Sequence, residues 1–176
     1  MTVLEADVFS EKDGGAVNKR LERPFGLMLD ALDDLRRDEV YVCTGSSPRY
    51  ALWGELMSTR AIKLGAVGAV VDGYSRDSPG LLRLKFPTFS YGGYAQDQAV
   101  RGKVIDFRTS IQIEAVRVVS GDIVFGDIDG VCVVPARAAK EVFARALEKV
   151  QGEKTVQKAL QRGMSARKAF EKYGIM

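Results

Sequence analysis

Apolar residues recur along this chain with two periods, and the switches between them predict an α/β protein. TVLEADV alternates well enough for a strand that begins at residue 2. EKDGGAVNKRLERP breaks the pattern and predicts a loop. In FGLMLDALDDLRRD, Phe25, Met28, Leu32 and Leu35 recur at three- and four-residue spacing, which predicts a helix, with Arg36 and Arg37 suited to its C-terminal end. DEVYVCTG predicts a short buried strand bounded by glycine.

SSPRYALWGELMSTRAIKLG is the next helical segment, with Trp53, Leu56, Met57, Ala61 and Leu64 on one face and Gly65 as its stop. Two starts fit it. Ser47 caps it with Pro48 at the first helical position, or the helix proper starts at Gly54. AVGAVVDG is a further buried strand. Residues 38–73 therefore predict strand–helix–strand, a βαβ unit with parallel strands. The second half is β-rich, with Asp129-Gly130 between apolar runs as a hairpin signal. From about residue 136 the chain turns helical, and Val142, Phe143, Ala146, Leu147 and Val150 form a stripe expected to face inward. No linker or repeat interrupts the 176 residues, so one domain with its own core is expected.

Composition changes this picture in one decisive way. The chain has no histidine. Ser-His-Asp and Cys-His catalysis, His-rich zinc sites and imidazole acid–base chemistry are excluded. Catalysis must come from carboxylates, Lys, Arg, Tyr, backbone amides or a metal held by oxygen. The net charge of +3 is spread among Asp and Glu, without the clustered stripe of a nucleic-acid binder. No apolar run approaches the ~20 residues of a bilayer span, and the start lacks the charge and apolar pattern of a signal peptide. Cys43 and Cys132 sit in apolar, strand-like contexts and are expected as small buried hydrophobes, not as a disulfide. A cytoplasmic protein without nucleic-acid or membrane partners is expected.

The candidate chemistry lies in VVDGYSRDSPG. Arg76 and Asp77 follow an apolar strand, at the position where α/β sheets bind ligands. The pair is either a local surface ion pair or an anion-binding cation beside a metal-binding acid. Glu55 is either a first-turn acid favoured by the helix dipole or part of the same site. If the helix starts at Gly54, the amides of Leu56 and Met57 are free for an anion. Asp127 and Asp129 lack the ligand spacing of a calcium loop and suit a hairpin turn. Lys63 is a Schiff-base candidate only in principle, since it lies near a helix end. Trp53 and Tyr74 suit packing, while Tyr91, Tyr94 and YAQDQAVRGK suit a pocket wall or a subunit interface.

The segment ALWGELMSTRAIKLGAVGAVVDGYSRD, followed by SGDIVFGDIDGVCVVP, resembles the RraA-like family. That family holds metal-dependent 4-hydroxy-4-methyl-2-oxoglutarate aldolases and the regulator of ribonuclease E activity. Its members have often been labelled demethylmenaquinone methyltransferases, but no glycine-rich G-x-G loop for S-adenosylmethionine follows a strand here. The resemblance implies a single compact, layered α/β/α-type sandwich of the swivelling phosphohistidine-domain kind. It also implies a homotrimer or dimer of trimers with the active site between subunits. Asp77 would be the direct ligand of Mg²⁺ or Mn²⁺, and Arg76 would bind the carboxylate and keto oxygen of a pyruvate-like substrate. Glu55 would hold metal-bound waters, and Gly54, Leu56 and Met57 would line the substrate carboxylate site. Glu153, or else Glu148, would reach in from a neighbouring subunit. The implied activity is a class II aldolase that releases pyruvate from such keto acids, with oxaloacetate decarboxylation on the side. A non-catalytic regulator of ribonuclease E and an inactive member are the rival readings. Two departures stand out: aldolases often have Asp at the position of Glu55, and this chain begins without their N-terminal helical segment.

Overall fold

The computed structural model describes residues 1–8, 23–47 and 49–175. The loop expected over 11–24 lies almost wholly outside them, as does Pro48. A five-stranded sheet forms the centre, built from β1 (Thr2–Asp7), β2 (Val40–Thr44), β4 (Gly68–Val71), β6 (Thr88–Phe89) and β7 (Gly102–Phe107), in the order β6-β4-β2-β1-β7. β1, β2, β4 and β6 run parallel, and β7 closes the edge antiparallel to β1. The expected βαβ unit is present as β2, β4 and the helix α2 (Glu55–Leu64) between them.

Alternation along these strands sorts the side chains onto two faces. Val3, Tyr41, Cys43, Ala69 and Val71 join the larger core with Met28, Ala31, Ala61 and Leu81. Those last residues come from α1 (Met28–Asp33), α2 and α3 (Ser78–Leu84). Leu4, Val40, Val42 and Val70 face the other way, onto Ile111, Ile113, Val118, Val124 and Val133. Two-stranded ribbons carry these partners: β8 (Ile111–Ile113) with β9 (Val116–Val118), and β10 (Ile123–Asp127) with β11 (Gly130–Val134). Burial on both faces explains why the parallel strands read as unbroken apolar runs. The mixed α/β class is as expected.

Several local expectations are corrected. α1 spans six residues, because Phe25 and Gly26 take left-handed turn conformations (φ 64° and 62°) and Gly26 lies against the β7 backbone at Val104. Of the two helix starts, Gly54 is the N-cap of α2, and Gly65 ends the helix at φ 84°. Ala51–Trp53 instead form a short strand, β3. Ser47 caps no helix; its amide donates to Asp7 Oδ1 at 3.3 Å. Cys132 is exposed, because the β10–β11 ribbon is open to solvent over much of its length, while Cys43 is buried; both are free thiols.

Chain contacts divide the molecule into two compact units, 1–133 and 134–176. The second holds α4 (Ala139–Gln161) and α5 (Ala166–Tyr173). Ser165 caps α5 by accepting from the Lys168 amide at 3.3 Å. Val156 and Ala169 are buried, but the stripe expected to face inward is not: Phe143 and Leu147 are 41% and 63% exposed.

A polar cluster sits where β1, β2 and β4 end. Glu5 is buried and accepts from the Cys43 thiol at 3.5 Å, while its Oε1 has no partner among the described residues. Burial pushes its pKa up to about 7. Asp7 accepts from the Tyr50 hydroxyl, and Asp72 from the hydroxyls of Thr44 and Tyr91.

Candidate functional site

A two-stranded pairing outside the main sheet assembles the site. β3 pairs in parallel with β5 (Tyr74–Ser75), and the Arg76 amide continues the ladder by donating to the Trp53 carbonyl at 2.8 Å. Gly54 is thereby set beside Arg76 and Asp77. Trp53 anchors this junction. It is buried, stacked on Phe86 with ring centroids 6.0 Å apart, and its indole N–H donates to Ser58 Oγ at 2.7 Å. Ser58 Oγ in turn donates to the Gly54 carbonyl at 3.2 Å, so the tryptophan fixes the first turn of α2.

Asp77 adopts the left-handed conformation (φ 60°, ψ 35°), which Asp tolerates better than most side chains. Its carbonyl accepts from Gly80 and Leu81, and so starts α3. Its carboxylate turns back to α2, where Oδ2 accepts from the Glu55 amide at 3.2 Å. A Cβ at Gly54 would lie 2.8 Å from that oxygen, so glycine is what lets the acid approach the helix start. All the Asp77 carboxylate contacts with described residues run through Oδ2.

Arg76 ties the acids together. Its Nη1 lies 2.7 Å from Asp97 Oδ2, and its Nε lies 3.9 Å from Asp77 Oδ2. Asp97 is placed by a backbone bridge to Ala51, and its other oxygen accepts from the Ala99 amide at 2.6 Å. Leu56 and Met57 are the second and third residues of α2, where helix geometry leaves amides without an intrahelical acceptor. These groups border a cavity of about 240 Å³, lined also by Met28, Leu29 and Leu32 of α1 and by Gln98.

The structure therefore brings Gly54, Leu56, Met57, Arg76 and Asp77 together around one cavity. Glu55 begins the same helix, but its carboxylate rests over Gly80 and pairs with Arg83 at 3.3 Å. Glu153 lies in the second unit on α4, 3.6 Å from Lys149. Lys63 sits exposed in the last turn of α2, where it complements the helix dipole. Tyr74 packs against Tyr91 and Tyr94, and Asp127 accepts from the Asp129 amide within the hairpin turn. Asp97 and Gln98, from the segment YAQDQAVRGK expected to suit a pocket wall or a subunit interface, do line the cavity, while the pairing of Asp97 with Arg76 and the α1 wall were not foreseen. The pattern D-Q-A in YAQDQAVRGK, an acid that caps a short turn, was the one local signal for Asp97.

The donor set decides what cation fits. Among the described residues no three His, Cys, Asp or Glu side chains converge on a metal position. Asp77 offers one hard oxygen ligand next to the cavity. That suits Mg²⁺ or Mn²⁺ held mostly by water and ligand oxygens, and it does not suit zinc or calcium cages.

The fold and site define an α/β domain with an acid, a guanidinium and a helix start around one small cavity at the carboxyl edge of a parallel sheet. The model of the RraA-like family, described as Aldolase/RraA, matches residues 8–133, and the chain belongs to that family. A Halalkalibacterium halodurans protein named putative 4-hydroxy-4-methyl-2-oxoglutarate aldolase is 29% identical over 68% of this chain and 57% of its own length. An uncharacterised Pseudomonas syringae pv. tomato protein of known structure superposes with a TM-score of 0.77 at 25% identity, over 96% of this chain and 74% of that one. A Streptomyces coelicolor member of the RNase ES inhibitor RraA protein family shares the fold with a TM-score of 0.72 at 21% identity, over 89% and 75% of the two chains. This chain spans 20% to 57% of the length of the curated relatives it matches. Among the described residues no helix is long and apolar enough to cross a membrane.

Proposed function

We propose that this protein is a divalent-metal-dependent class II aldolase that cleaves 4-hydroxy-2-oxo acids of the 4-hydroxy-4-methyl-2-oxoglutarate type to pyruvate, with oxaloacetate decarboxylation as a side activity. The observation that carries this reading is the convergence of Asp77, Arg76 and the start of α2 on one cavity. A Mg²⁺ or Mn²⁺ ion held by Asp77 would supply Lewis-acid stabilisation of the charge that develops on the 2-oxo oxygen. Arg76 presents a planar fork of donors to the substrate carboxylate and 2-oxo oxygen, with Asp97 fixing its orientation. The Leu56 and Met57 amides receive the other carboxylate oxygen. Water returns a proton to the carbon that becomes the pyruvate methyl group, and Glu55 would orient it on exchanging Arg83 for that water.

The assembly we propose is a cytoplasmic homotrimer or dimer of trimers, in which Glu153 of a neighbouring copy completes the site. The test is pyruvate release and oxaloacetate decarboxylation with Mg²⁺ or Mn²⁺, with EDTA, and with Asp77→Ala. Metal-dependent turnover that the substitution abolishes supports the aldolase. Absence of both turnover and metal binding in a folded protein returns the loop to a surface ion pair and favours the non-catalytic regulator.

A further inference from the structure

The cavity is chemically divided. Its charged lining is Arg76, Asp77 and Asp97, and the side chains of Phe25, Met28, Leu29, Leu32 and Met57 give the rest an apolar character. Among the described residues of the wall, Arg76 is the only cation, and two carboxylates already lie within 3.9 Å of it. Two apolar groups of the wall stand open to solvent: Leu29 is 56% exposed and Leu56 is 83% exposed.

Gln98 links the two parts. It follows Asp97 directly, it is 95% removed from solvent, and its Nε2 donates to the Met28 thioether at 3.0 Å. The thioether only accepts, which fixes the amide with nitrogen toward Met28. Its Oε1 is left buried without a partner among the described residues. That oxygen is sealed from solvent, so Gln98 serves as wall and holds Met28 in place.

The geometry points to a substrate with one carboxylate and an apolar tail: a 4-hydroxy-2-oxo acid with an alkyl or aryl group beyond C4. This rests on the aldolase reading and narrows it: the bond cleaved is the same, but an apolar tail stands where substrates of the 4-hydroxy-4-methyl-2-oxoglutarate type carry their second carboxylate. The carboxylate meets Arg76, and the tail lies along Met28, Leu29 and Leu32. Cleavage breaks the C3–C4 bond. The hydroxyl loses its proton and becomes the carbonyl of an apolar aldehyde. The bonding pair stays on C3, which takes a proton from water, and the second product is pyruvate. A dicarboxylate in the same pose would set its second carboxylate against leucine and thioether surface without a cation, which is costly. Each tail methylene that becomes fully buried strengthens binding roughly fourfold.

Trp53 makes this measurable without turnover, since it is the single tryptophan of the chain and lines the cavity. The experiment titrates the protein with 2-oxooctanoate and with 2-oxoglutarate in Mg²⁺ and follows Trp53 fluorescence. 2-Oxooctanoate is expected to bind at least about tenfold tighter, on the methylene scale above. Leu29→Arg, at an exposed position that tolerates charge, should reverse the order, and Leu56→Arg repeats the test from the start of α2. Equal or tighter binding of 2-oxoglutarate by the unaltered protein overturns the inference, and so does the absence of binding by both. Pyruvate release from the aldol of pyruvate with hexanal is assayed alongside. Tail preference in binding without any pyruvate release supports this inference and overturns the aldolase reading alone.

Discussion

Two acid-rich regions lie near the carboxyl ends of this protein's strands, and they are built to opposite ends. In the cluster of Glu5, Asp7 and Asp72, the carboxylates take neutral donors from the fold: the Cys43 thiol and the hydroxyls of Tyr50, Thr44 and Tyr91. Around Asp77 the partners are a guanidinium, a helix amide and a cavity. Strand-end position is common to both and separates neither. What distinguishes the Asp77 region is charge held in place with coordination capacity left over beside empty volume. In the Glu5 cluster the protein's own donors meet Asp7 and Asp72, and the one buried oxygen that no described residue meets, Glu5 Oε1, lies away from any cavity opening.

The comparison is most directly broken at Asp77. Asp77→Ala is expected to lower kcat for pyruvate release by about 10³-fold or more, because it removes the proposed metal ligand. The melting temperature should move by only a few degrees, since the side chain is 45% exposed. A large loss of stability with activity retained would place Asp77 with the structural acids.

The next effect concerns Glu5, and its sign is fixed by burial. Its folded pKa of about 7 lies above the ordinary value of 4.5, so the native state favours the protonated form. Its contribution is therefore fully present below about pH 4.5 and is lost as the pH rises through 7, on the order of 3 kcal/mol in all. Urea unfolding from pH 5 to 9 checks this, and Glu5→Gln should flatten that loss without changing kcat. Gly54→Ala follows: a methyl group 2.8 Å from Asp77 Oδ2 should displace the carboxylate and cost about 10- to 100-fold in kcat/KM, with little change in folding. Asp97→Asn should have the smallest effect. With one of the two carboxylates beside Arg76 made neutral, KM for a carboxylate substrate should fall about threefold. A rise in KM would show that Asp97 acts by orientation instead of charge.

The sequence carried the parts of this structure that local pattern encodes. Alternation located β1, short apolar runs located β2 and β4, Gly65 ended α2 with Gly54 as one of its two candidate starts, and Arg76–Asp77 stood out because a charged pair follows an apolar strand. The parts it hid depend on distant pairing. Asp97 reaches Arg76 only because residue 51 bridges to residue 97, and the α1 wall faces the cavity only through tertiary packing. Trp53 looked like a helix-face residue because ALW and the following ELM share one apolar rhythm, although Gly54 separates a strand from a helix there. The α4 stripe was legible as apolar, but amphipathicity says nothing about which surface will cover it.

Asp77 performs two tasks with different atoms. Its backbone carbonyl starts α3, and its side-chain oxygen caps α2. Asparagine tolerates the same left-handed backbone and offers the same capping oxygen. A lineage carrying this fold is therefore one oxygen-to-nitrogen exchange away from surrendering the charge while keeping both helices in place. Catalyst and scaffold are neighbours in sequence space here, and selection can cross between them without first rebuilding the architecture.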